Sequence, residues 1–262
     1  FFMAAGTHPD DVPTVFVVVH GFGCNMGDYH RVLRNVLKQK LVKSSVMILS
    51  PLFSKAMFPT NEDFQSGNVH RRREGGFVDD DSKWTFSVIP NIVKESCPEA
   101  KTYVIYGHSA GAQFTHRMCY FDGMMRQRHP EYPGIARALI ANPGWYTMPD
   151  TSIYYPYGLD TTPLPEMKDL LEEFVRLPKF LLLGTEDTNT EDKNLRKTRE
   201  ANLQGPHRLA RGQMYVEKHK EIAASLGIED SGLELVFVEG AGHSNSQMAS
   251  TAVENSGFAV PP

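Results

Sequence analysis

Six short apolar runs recur along the chain: TVFVVV at 14–19, SVMILS at 45–50, TYVIYG at 102–107, ARALIA at 136–141, FLLLG at 180–184 and ELVFVEG at 234–240. Their hydrophobicity is continuous rather than alternating, the pattern of strands covered on both faces. Between them, apolar residues return every three or four positions in DYHRVLRNVLKQ, SAGAQFTHRMCYF, LPEMKDLLEEFV and RGQMYVEKHKEIAASLG, which predicts helices with one buried stripe. Alternating strands and helices predict an α/β fold, with a mostly parallel central sheet and helices on both faces.

Two stretches break this rhythm. Residues 51–80 and 142–164 are rich in Pro, Gly and aromatics and have little periodicity. Structureless segments of that length in a compact domain tend to carry function, so both are expected to be active-site loops or a small cap. No repeat, low-complexity tract or linker divides the 262 residues, and the expectation is one domain spanning 1–262.

Bulk composition removes several function classes. A hydrophobic share of 41% suits a chain with a sizeable core. A formal charge of −4 provides no footprint for nucleic acid. The basic run His70-Arg71-Arg72-Arg73 is followed closely by Asp79-Asp80-Asp81, which reads as a mutually paired, solvated loop. Cys24, Cys97 and Cys119 are widely spaced and form no CxxC pair, so neither a disulfide framework nor a zinc site is signalled, and one disulfide with a free thiol stays open. No apolar stretch approaches the ~20 residues that span a bilayer. The chain starts FFMAAG, which leaves a cytoplasmic location and secretion after removal of an upstream segment both open. The oligomeric state is equally open.

In parallel α/β sheets, chemistry gathers at the carboxyl ends of the strands, and four runs are followed by reactive or glycine-rich sequence. After TYVIYG comes Gly107-His108-Ser109-Ala110-Gly111, a G-x-S-x-G between a strand and a helix, as a nucleophile elbow requires. After TVFVVV comes His20-Gly21-Phe22-Gly23, where the N–H of Phe22 could join that of Ala110 in a two-donor oxyanion hole. Asp187 follows FLLLG, and His243 follows ELVFVEG within GAGHS. The chain order Ser109, Asp187, His243 fits nucleophile, acid and general base. Glu186, Asp150 and Asp160 compete with Asp187 for the acid. His20 and His108 read as structural, while His207, Arg208 and Arg211 read as loop anchors rather than substrate ligands.

HGFG, GHSAGAQF, ANPGWYTMPD with YPYGL, and QGPHRLARG resemble α/β-hydrolases of the polyhydroxybutyrate depolymerase and feruloyl esterase-like branch. The resemblance implies a serine esterase without a cofactor or metal, acting on a small-molecule or oligomeric ester, with Ser109, Asp187 and His243 in the catalytic roles. Within these 262 residues no separate polymer-binding module is expected. Under the resemblance Trp145, Tyr146 and Tyr157, just past the fourth strand, are expected to line the substrate pocket. Two alternatives use the same residues: an amidase or peptidase with the same triad, and a non-catalytic ligand-binding protein in which Ser109 is inert. A serine at the elbow argues against the carboxylate-nucleophile chemistries of this fold, and no HExxH or similar cluster suggests metal catalysis.

Overall fold

The computed structural model describes residues 12–40, 45–70, 78, 80–160 and 167–258. All six apolar runs are strands: β1 (Thr14–Val19), β2 (Val46–Leu49), β3 (Thr102–His108), β4 (Gly134–Ala141), β5 (Lys179–Gly184) and β6 (Leu233–Val238). They form one parallel sheet in the order β2-β1-β3-β4-β5-β6. The α-helices among the described residues are α1 (Met26–Gln39), α2 (Asn61–Phe64), α3 (Val88–Ser96), α4 (Ala110–Arg128), α5 (Met167–Arg176), α6 (Arg199–Leu203), α7 (Arg208–Ser225) and α8 (Asn245–Glu254).

Strand residues alternate between two cores because successive side chains leave opposite faces of a sheet. Val15, Val17, Ile105, Ile140, Leu181 and Leu183 face α3, α4, α5 and α7. Phe16, Val18, Val104, Leu139 and Leu182 face α1 and α8, where Tyr29, Leu33 and Leu37 present a stripe spaced by four. Burying strands on both faces is what makes their sequences continuously apolar.

Two local readings of the sequence are corrected. β6, one of the two edge strands, is only half covered, with Phe237 43% exposed, whereas β2 at the other edge is largely buried. And α4 does not carry a single apolar stripe: it is buried on all sides from Ala110 to Met125, polar residues included. Those polar residues hold the two aromatic-rich loops over the helix. His116 Nε2 accepts from the Thr147 N–H at 3.0 Å, the Tyr120 hydroxyl donates to the Thr147 carbonyl at 2.9 Å, and Arg117 donates to the Gln65 carbonyl at 3.1 Å. The loops also join each other, Tyr155 donating to the Ser66 carbonyl at 2.7 Å. Arg71, Arg72, Arg73 and Asp79 of the charged run lie outside the described residues, as do 71–77 of the first loop and 161–164 of the second. The three cysteines are free thiols.

Candidate active site

Ser109 is the single residue between the end of β3 and the start of α4, and turns the chain through φ 58°, ψ −116°. That positive φ is strained for a residue with a Cβ, and neighbouring structure must hold it. The flanking glycines explain how the turn fits. A Cβ on Gly107 would lie 2.2 Å from the Gly111 carbonyl oxygen, and one on Gly111 would lie 2.3 Å from the Val19 and 2.7 Å from the His20 carbonyl oxygens. Only hydrogen at both places lets strand, turn and helix close this tightly. The turn is pinned by the Ser109 N–H, which donates to the Ala141 carbonyl at 3.0 Å.

The ends of β5 and β6 bring two more side chains to this turn. His243 Nε2 lies 2.8 Å from Ser109 Oγ, and its Nδ1 lies 2.8 Å from Asp187 Oδ2. A carboxylate oxygen accepts, so Nδ1 carries the ring proton and Nε2 is left to accept from the serine hydroxyl. Asp187 is buried, and its second oxygen meets Arg208 Nη1 at 3.3 Å; the same nitrogen reaches Asp192 at 2.9 Å. Glu186 is exposed. Asp150 instead accepts from the backbone N–H and hydroxyl of Ser152, closing a local turn.

Asn142, which the sequence reading missed, ties these strand ends together. Its Oδ1 accepts from the Gly184 N–H at 2.9 Å, and its Nδ2 donates to the Gly242 carbonyl at 3.1 Å, one residue before His243. A positive φ of 47° at this Asn is the local cost. The signal was present in the sequence as an Asn just past a strand, in front of Pro-Gly, but its partners are 42 and 100 residues away.

The two histidines read as structural behave so. His20 is buried, its Nε2 accepts from the Phe53 N–H at 2.9 Å, and Nδ1 therefore donates to the Gly21 carbonyl at 2.7 Å. Burial depresses its pKa, which keeps the ring neutral and the glycine loop fixed. His108 is buried beneath the elbow with Nδ1 2.9 Å from the Tyr29 hydroxyl. Burial, followed by the nearby His243 and Arg208, holds it far below the usual imidazole value. Phe22 is 49% exposed at the tip of the His20–Gly23 loop, and Ala110 opens α4, where the first helical N–H groups have no intrahelical partner.

The three aromatic residues expected in the pocket separate. Trp145 and Tyr157 line a cavity of about 110 Å³, with ring centroids 4.5 Å apart. Tyr146 does not: it is fully buried, stacked on Tyr215 at 4.6 Å, with its N–H donating to Gln204. Arg208 and Arg211 are both buried anchors, Arg211 donating to the Gly205, Gly144 and Arg196 carbonyls, and His207 caps α7. Among the described residues, no cluster of three or more His, Cys, Asp or Glu could hold a metal, and no helix is long and apolar enough to cross a membrane.

No protein-family model and no curated protein matches the sequence. Solved structures do. The chain belongs to the α/β-hydrolase superfamily, and its general chemistry is hydrolysis. Within it, the chain is similar to poly(aspartic acid) hydrolase-1 from Sphingomonas sp. KT-1, at 31% identity over 96% of this chain and 95% of that one, with a TM-score of 0.79. It is likewise similar to the poly(3-hydroxybutyrate) depolymerase LpqC from Bordetella parapertussis, at 30% identity over 95% and 81% of the two chains and a TM-score of 0.78. The siderophore hydrolase EstB from Aspergillus nidulans shares the fold alone, at 12% identity, 95% and 83% coverage and a TM-score of 0.51.

Proposed function

We propose that this protein is a serine hydrolase that cleaves carboxylic esters through an acyl-enzyme, with Ser109 as nucleophile, His243 as general base and acid, and Asp187 as the acid that orients it. The observation that supports this most directly is the unbroken line from Ser109 Oγ to His243 to Asp187, with 2.8 Å at each step. Ser109 Oγ attacks the ester carbonyl as its proton passes to His243 Nε2. The Asp187 carboxylate stabilises the imidazolium. Charge on the carbonyl oxygen is met by the N–H groups of Phe22 and Ala110, the second strengthened by the α4 dipole. Collapse of the intermediate expels the alcohol with the proton from His243, and water repeats the cycle to release the acid. The chain acts as one domain, with the described parts of 51–80 and 142–164 walling the site, and Trp145 and Tyr157 contact the substrate.

A second reading, amide cleavage by the same residues, draws on one of the two relatives being named for poly(aspartic acid) and the other for a polyester. Two measurements decide. A fluorophosphonate probe is expected to label the native protein but not Ser109→Ala; equal labelling of both removes the serine assignment. Turnover of p-nitrophenyl esters is expected to exceed that of matched anilides, and faster anilide turnover selects the amide reading. Asp187→Asn is expected to lose about 10³–10⁴-fold in kcat by forcing the wrong tautomer on His243; near-normal turnover in that variant refutes the assigned acid.

A further inference from the structure

The cavity beside Trp145 and Tyr157 has a charge arrangement that hydrolysis of a neutral ester does not require. It is lined by residues from the segments after β2 (Glu62, Ser66), after β4 (Trp145, Tyr157) and after β5 (Arg196). These strands all end at the sheet edge that carries Ser109 and His243. One indole ring holds two cations: the Arg117 guanidinium lies 4.0 Å from the Trp145 ring centroid and that of Arg196 lies 5.6 Å from it. Arg117 is fully buried. Its Nε donates to Thr147 and its Nη1 to the Gln65 and Gln113 carbonyls, while Nη2 has no partner. Arg196 is half-buried and donates from Nε to the Tyr157 hydroxyl at 3.2 Å.

Among the described residues, no carboxylate lies within ion-pair distance of either guanidinium. Arg208, by contrast, is met by both Asp187 and Asp192, and Arg126 by Asp122 and Glu173. Glu62 lines the same cavity and has a partner of its own. Burying a guanidinium without a counter-charge is costly, and two cations sharing one ring repel. A planar carboxylate offers two acceptor oxygens matched to the guanidinium fork and cancels that repulsion.

We propose that this cavity is a substrate subsite that binds a free carboxylate on Arg196, with Trp145 and Tyr157 walling the chain that carries it. The proposal rests on the serine-hydrolase reading for its link to catalysis and makes the preferred substrate a carboxylate-bearing ester. The subsite is remote from the scissile bond. Arg117 lies eight residues beyond Ser109 on α4, about 12 Å at 1.5 Å of rise per residue, so several bonds separate carboxylate and reacting carbonyl.

Binding and turnover are measured separately so that the two readings can fail independently. Suberate titrated into Ser109→Ala protein is expected to change tryptophan fluorescence through Trp145, since Trp84 is buried against Phe121. Binding should weaken about ten-fold in Arg196→Gln and recover in part in Arg196→Lys. In active protein, p-nitrophenyl half-esters of suberate and sebacate are expected to surpass neutral esters of equal length about ten-fold in kcat/KM, and Arg196→Gln should bring that ratio near one through KM. No suberate response, inorganic phosphate binding as tightly as suberate, or an unaltered ratio in Arg196→Gln overturns the subsite. Loss of fluorophosphonate labelling overturns the hydrolase reading and leaves the binding result standing.

Discussion

Replacing Gly111 by Ala tests how the elbow is assembled. The added Cβ would sit 2.3 Å from the Val19 and 2.7 Å from the His20 carbonyl oxygens, both backbone atoms that cannot swing aside as a side chain would. Restoring an ordinary contact requires a displacement of about 1 Å, and overpacking of this kind costs roughly 1–3 kcal/mol. Ala gains at most about 1 kcal/mol over Gly inside a helix, less in a first turn, so the net sign is destabilising. At ~2–4 °C per kcal/mol for a chain near this size, the melting temperature followed by circular dichroism should fall by several degrees. The same shift moves the carbonyl just ahead of Gly21 and Phe22, and, with the Phe22 N–H as the proposed oxyanion donor, misplacing it is expected to cost roughly 10²–10³-fold in kcat, read on a p-nitrophenyl ester. Gly27→Ala in α1 is the control, since nothing lies within 4 Å of its added Cβ, and it should be neutral or stabilising. If Gly111→Ala is as stable and as active as Gly27→Ala, the close-packing account of the motif is wrong.

Tyr146→Phe keeps the stack on Tyr215 and removes a buried hydroxyl that has no hydrogen-bond partner among the described residues, so stability should rise by up to about 1 kcal/mol with KM for esters unchanged. An increase in KM would return Tyr146 to the substrate pocket. Lys179 is fully buried at the start of β5, donating to the carbonyls of Phe174 and Leu177, and burial pulls its amine down to about 7 from the usual 10.5. Between those values the unfolded chain binds a proton that the folded chain does not, so Lys179 makes stability fall as pH drops from ~10 to ~7 and adds no slope below. The full effect is about 5 kcal/mol at most, counted at 1.36 kcal/mol per pH unit. Urea denaturation across pH 7–10 should show this slope in the native protein and lose it in Lys179→Met; equal slopes in both refute it.

Much of the architecture was legible in the sequence because it follows from local pattern. Strands buried on both faces must be apolar throughout, and all six runs became strands within two residues of their expected bounds. GHSAG was legible for a related reason: a turn at positive φ packed against two backbone segments demands glycine at both flanks, and that demand is written in adjacent residues. Separation by strand ends placed Asp187 and His243 for the same sheet edge before any distance was known. What pattern could not carry was the partner of each polar group. The burial of α4 on all sides, the bridging of β4, β5 and the His243 loop by Asn142, and the division of Trp145 and Tyr146 between cavity and core depend on contacts many residues apart. Hydrophobic periodicity records only whether a position is buried. Which atom it meets there is decided when distant segments pack, and in this protein the counter-ion of Asp187 and the two guanidiniums beside Trp145 both arise at that step.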